Sequence, residues 1–262
     1  MNMKKTLIAL VVVATSAAIS GPAMAWTANG TGGSVDMGGT LIPKGKGAPW
    51  EVKVGDAVKG LDAEIEKGQK TVEISLKSAI PLLGIRTQTS EVFHGQEGIT
   101  PRISYGSAID VNSFKEGMVP LTLEVKDSKG AKIGKAESSV LAAAMVSHRD
   151  NWIHIIASLY SVSRGGAFFG GIGTSESGAH PSPLDVAKKV FPEASEHFNT
   201  QEITDPVDKV ETVFSDNDAN FSAFYASGIP ESSKIKITLD EGVDADTSVQ
   251  WNASLPITVF YD

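Results

Sequence analysis

Trp251-Asn252-Ala253-Ser254-Leu255-Pro256-Ile257-Thr258-Val259-Phe260-Tyr261-Asp262 is the stretch of this 262-residue chain that decides the fold class. Trp251, Ala253, Leu255, Ile257, Val259 and Tyr261 are all apolar and share one parity, against Asn252, Ser254, Pro256, Thr258, Phe260 and Asp262 on the other. A strand turns successive side chains to opposite faces, so six consecutive hits specify a half-buried β-strand. Pro256 has no N–H to give, which suits a strand with one flank incompletely paired. A long apolar edge of this kind pairs with other chains unless something covers it.

Working upstream, the same period of two recurs at Ile235, Ile237, Leu239 and at Phe221, Ala223, Tyr225. It returns at Leu121, Leu123, Val125; at Ile99, Ile103, Tyr105; at Val72, Ile74, Leu76; and at Trp50, Val52, Val54. Gly, Pro, Asp or Ser bound each run, and Lys126-Asp127-Ser128-Lys129-Gly130 carries turn chemistry that predicts a hairpin into Lys132–Val140. Short strands at this spacing predict a β-sandwich. Between about 145 and 215 the rhythm breaks. Ser182-Pro183 is a helix-start signal followed by Ala187, Val190, Phe191, Ala194 and Phe198 at helical spacing, with Pro192 splitting the helix. Asp205-Pro206 predicts another short helix carrying Val207, Val210 and Phe214, and Asn151 to Tyr160 fits strand or helix equally. Because alternation resumes afterwards, 145–215 reads as a mixed insertion on the sandwich. In the polar, Gly-rich stretch from Trp26 to Leu41, one more single-parity run stands out: Gly33, Val35, Met37, Gly39 and Leu41. It has a strand pattern with little to pack on itself.

Residues 1–25 read as a secretory signal, with Lys4 and Lys5, an apolar run from Leu7 to about Ile19, Gly21-Pro22 and Ala23-Met24-Ala25, so cleavage is expected between Ala25 and Trp26. The apolar run is shorter than the roughly 20 residues of a bilayer span. The chain has no Cys, so disulfides, thiolate metal sites and thiol chemistry are excluded. Its net charge of −8 has the wrong sign for a nucleic-acid binder. Catalytic patterns fail residue by residue. Gly173-Thr174-Ser175-Glu176-Ser177-Gly178 lacks the Gly that G-x-S-x-G needs at 177, and the phosphate-loop-like Lys129 to Lys135 stretch is followed by Ala136 where Ser or Thr is required. Asp216-Asn217-Asp218-Ala219-Asn220 starts like a calcium loop but has Phe221 at the obligatory Gly position, and His148 and His154 have no H-E-x-x-H frame. The acidic trio Asp240, Asp244 and Asp246 fits a solvated turn. No enzyme, cofactor or metal site is expected from these patterns.

The two ends, with Gly33-Ser34-Val35-Asp36-Met37-Gly38-Gly39, Trp50-Glu51-Val52-Lys53-Val54-Gly55, Pro81-Leu82-Leu83-Gly84, Ser222 to Ile229 and Gln250-Trp251 through Tyr261, resemble subunits of chaperone–usher fimbriae, most closely the kappa class of F-four/K-eighty-eight type. The resemblance implies an all-β fold: an incomplete immunoglobulin-like sandwich that lacks its last strand and is completed by a donated one. On that reading residues 1–25 are the signal peptide, 26–43 the donor-strand extension bearing Gly33, Val35, Met37, Gly39 and Leu41, and 44–262 the pilin domain with its insertion. Trp251, Ala253, Leu255, Ile257, Val259 and Tyr261 would then dock a periplasmic chaperone. The implied partners are that chaperone, an outer-membrane usher and neighbouring subunits, and the implied location is a surface fimbrium supporting adhesion. In this class some subunits bind host glycans through the insertion. Trp152, His154, Tyr160, Arg164 and His180 supply the aromatic and polar types for a galactose-type site, the alternative being that the chain is the adhesin itself.

Overall fold

The computed structural model describes residues 47–204, 206–243 and 248–262. The expected signal segment with Ala25 and Trp26, the run from Gly33 to Leu41, Asp205, Asp244 and Asp246 lie outside the described residues. The described chain is mostly strand, in keeping with the expected all-β class.

The organising element is β7 (Lys132–Arg149), whose 18 residues run through two halves of one hydrogen-bonded sheet. Along its first half it is flanked by β6 (Met118–Lys126) on one edge and β11 (Lys234–Leu239) on the other, with β2 (Thr71–Ser75) outside β11. Along its second half β8 (His154–Leu159) takes over from β6, and β10 (Asn220–Ile229) from β11. Beyond β10 come β3 (Ile80–Thr87) and the edge strand β1 (Trp50–Val54), with the two-residue β4 (Phe93–His94) beside the start of β10. The β6–β7 hairpin closes as its turn chemistry predicts: Gly130 N–H donates to the Asp127 carbonyl, and the Asp127 carboxylate accepts from the Lys129 and Ala131 N–H groups.

The two halves share one core. Leu121, Val125, Ile235 and Ile237 come from the first; Leu83, Ile85, Val146 and Tyr225 from the second; and Trp50 joins Phe93, Phe168, Phe214 and Phe221 in an aromatic cluster. In its middle Tyr105 Oη lies 2.9 Å from Tyr225 Oη and 2.7 Å from Ser227 Oγ, which in turn donates to the Leu83 carbonyl. Burial pushes the Tyr105 phenol up to about 12.

The 145–215 stretch divides differently from its sequence pattern. Met145–Arg149 continue β7, and the ambiguous Asn151–Tyr160 contains β8 in the same sheet. The helix forms as α1 (Pro183–Val190), and Pro192 ends it by opening a short 3-10 turn, Pro192–Ser195. The helix expected after Asp205-Pro206 is instead a strand, β9 (Pro206–Val210), because its backbone finds a parallel partner in β8, Ser158 lying opposite Lys209. α1 packs Val186, Ala187 and Val190 onto Leu141, Ala143, Phe224 and Ala226, the outer face of the β7–β10 pair. With both faces covered, residues 141–146 lose any alternation of polarity. Val52 and Val54 alternate as expected, yet both are exposed, because β1 is an edge strand that buries only Trp50.

Candidate functional site

The C-terminal run behaves as its parity predicts: Trp251, Ala253, Leu255, Ile257, Val259 and Tyr261 are half-buried, and the intervening residues are exposed. All but Ala253 pack against the main core. Its pairing is sparse. β12 (Asn252–Ala253) lies opposite Lys126 and Val125 of β6, and β13 (Thr258–Tyr261) pairs with β5 (Pro101–Ser104) in a separate two-stranded sheet. The far end is tethered by Arg102, which donates to the Asp262 carboxylate at 2.7 Å and covers the Phe260 ring at 4.3 Å. Between β12 and β13, residues 254–257 make no backbone–backbone hydrogen bond among the described residues.

Facing this segment is the chain that leaves β1. Gly55 donates to the Leu82 carbonyl, and at this crossing a Cβ would lie 1.9 Å from the Pro81 oxygen, so only glycine lets the chain turn off the sheet here. From 56 to 65 the backbone again makes no backbone–backbone hydrogen bond among the described residues. Two unpaired banks therefore flank a groove. Its wider part, about 710 Å³, has Ile80, Leu82, Leu121, Leu123, Ile229 and Ile235 as floor. It runs past Asp62, Val249, Gln250 and Trp251 into a second part of about 550 Å³ over Val72, Ile74, Ile237 and Leu239. Open backbone edges above an apolar floor are what an added strand requires: hydrogen-bond partners on its flanks and pockets for alternate side chains beneath.

The five candidate glycan residues are not brought together. Trp152, at the tip of the β7–β8 connection, is 92% exposed, and His154 Nε2 contacts the Asp150 carbonyl at 2.9 Å beside it. Tyr160 follows the opposite end of β8, about 20 Å away at strand rise. Arg164 is exposed in the following loop. His180 accepts the Ser182 N–H on Nδ1 ahead of α1, and burial holds its pKa below the usual value.

A family model described as fimbrial, major and minor subunit matches residues 3–262. The chain belongs to this family of fimbrial subunits. The subunit is 28% identical to the K88 fimbrial proteins AC and AB of Escherichia coli and 27% identical to K88 fimbrial protein AD of the same organism, each alignment covering 99% of this chain and 100% of the relative. It is thus a structural component of surface fimbriae and of a non-enzymatic kind, as the two ends of the sequence led one to expect. Of the groove, the C-terminal bank was legible as parity. The opposite bank was missed, its one signal being the alternation of Leu61, Ala63 and Ile65 with Asp62, Glu64 and Glu66 between the apolar runs at Trp50–Val54 and Val72–Leu76.

Proposed function

We propose that the subunit polymerises by donor-strand complementation, its groove accepting the 33–41 segment of a neighbouring subunit. The observation that supports this is the groove itself, apolar on its floor and unpaired along both banks. Residues 33–41 span about 30 Å when extended, the length of the C-terminal stretch 249–257 that borders the groove, in which among the described residues only Asn252 and Ala253 are paired, with β6. Val35, Met37 and Leu41 lie on the parity that would face the floor, each stabilising the assembly by roughly 1.5–3 kcal/mol on full burial. Gly33 and Gly39 suit shallow stretches. Before assembly the same groove needs a stand-in strand, and a periplasmic chaperone that pairs with the Trp251–Tyr261 segment, handing the subunit to an outer-membrane usher, supplies one. Export through the 1–25 leader with cleavage after Ala25 belongs to the same reading.

The test is a fusion carrying a second copy of residues 26–43 after Asp262 through a flexible linker. In cis the strand fills the chain's own groove, so the fusion is expected to run as a monomer on size exclusion without a chaperone and to melt well above the parent. A fusion that stays aggregated, or a chain lacking 26–41 that still grows fibres, overturns the reading.

A further inference from the structure

At the end of β7, His148 and Asp150 meet a residue from the loop that precedes β10. One ligand-type atom from each of His148, Asp150 and Asp216 falls within 4.8 Å of the others. His148 Nε2 is wholly buried and has no hydrogen-bond partner among the described residues. It lies 3.3 Å from Asp150 Oδ2, close enough for attraction but outside hydrogen-bond geometry. Leaving a buried ring nitrogen unpartnered is costly, and such atoms call for an explanation.

The separation is informative. Two ligands bound at 2.0–2.1 Å to one tetrahedral ion stand about 3.3 Å apart, so the His148–Asp150 pair already has the spacing of one edge of a coordination tetrahedron. The ring is held in place by Phe221, whose centroid is 4.6 Å from its own. Asp150 splits its carboxylate: Oδ1 accepts the N–H groups of Trp152 and Ile153, which leaves Oδ2 facing His148. Asp216 is exposed; its Oδ1 accepts the Asp218 N–H at 2.9 Å, which leaves its other oxygen to close the third position, and its backbone is seated against Gly95, where a Cβ would collide with it. One imidazole and two carboxylates, with the fourth position open to water, is a donor set for a borderline divalent ion.

We propose that His148, Asp150 and Asp216 form a binding site for a divalent transition-metal ion, zinc foremost. The ion joins the tip of the β7–β8 connection to the loop before β10. Because Asp150 also shapes the turn that carries Trp152, metal binding braces the pose of that exposed indole. Sequence spacing hid the site, since its ligands come from two distant segments and match no contiguous motif.

The experiment uses fibres of the full chain, dialysed against zinc chloride, with bound zinc per subunit measured by atomic absorption and tryptophan fluorescence followed in parallel. The parent is expected to take up one zinc per subunit saturably and to change its fluorescence. Asp216→Asn, an exposed and isosteric change, and His148→Gln should each weaken uptake by about tenfold or more. Trp152→Phe should abolish the fluorescence change while keeping the zinc. Absence of saturable uptake by the parent, Asp216→Asn fibres that bind as the parent does, or calcium chloride taken up as tightly as zinc, would overturn the assignment. An unchanged parent fluorescence would overturn the bracing of Trp152.

Discussion

The outer face of the β7–β10 pair and the floor of the groove carry the same kinds of side chains, and the chain covers them differently. On the outer face, Leu141, Ala143, Phe224 and Ala226 lie beneath α1 and the 3-10 turn after it. That cover is latched at its rim, where Arg86 donates to the Glu196 carboxylate at 2.7 Å and to the Glu193 carbonyl at 2.8 Å, and Lys53 pairs with Glu193. Over the groove, Leu121, Leu123, Ile229 and Ile235 form a floor that lies between two segments without backbone pairing. An apolar sheet face thus needs a cover that follows the sheet's own geometry, and a helix sequence 183–190 supplies it in one place. In the other, the open backbone edges offer the hydrogen-bond partners of a strand, the cover proposed above.

The sharpest way to break this comparison is to damage each face in turn. Phe224→Ala, deep under α1, should destabilise the chain by about 3–5 kcal/mol whether or not the groove is filled. Leu123→Ala on the groove floor should cost roughly 2–3 kcal/mol in the cis-complemented fusion and clearly less in the unfilled chain, both read from urea midpoints. Equal losses for Leu123→Ala in the two forms would show that the groove stays empty.

A smaller effect probes the core that both faces share. The Tyr105 phenol, raised by burial from 10 to about 12, is neutral in the fold at pH values where the unfolded chain has begun to ionise. The folded pKa is the higher one, so its stabilisation is complete below pH 10 and is lost as pH rises from 10 through about 12, in total about 3 kcal/mol. Tyr225 shifts in the same direction. Thermal melts of the parent should fall steeply over that window, and those of Tyr105→Phe less so. The rim comes last. Arg86→Ala should cost about 1 kcal/mol, because it removes one donor from the Glu193 carbonyl and the guanidinium from the Glu51 and Glu196 carboxylates. Lys53→Ala, an exposed pair, should leave the melting midpoint where it is.

What could be read from the sequence followed the number of covered faces. Residues 251–261 have one buried face, so parity survived in the pattern, and the Asp127 turn announced its hairpin through local chemistry alone. Residues 141–146 are covered on both faces, so they carry no alternation from which a strand could be read. Val207 and Val210 mimic a helical spacing, and only the parallel contact with β8 decides against it. Trp152 and Tyr160 share the aromatic type a sugar site needs, but the six residues of β8 from His154 to Leu159 hold their neighbourhoods apart. The groove floor draws on β2, β3, β6, β10 and β11, a convergence that tertiary structure alone creates.

The length of β7 has a consequence for how this molecule opens. Around Ala136–Glu137 and again from Met145 to Arg149 it is flanked by strands on both edges, so exposing its amides there means parting it from a neighbour on each side. Hydrogen exchange there tracks global unfolding. Residues 254–257, bound by no such ladder, exchange through local fluctuations that leave the rest intact. The subunit can therefore loosen the edge beside the groove while its central strand stays closed, a separation of timescales within one domain.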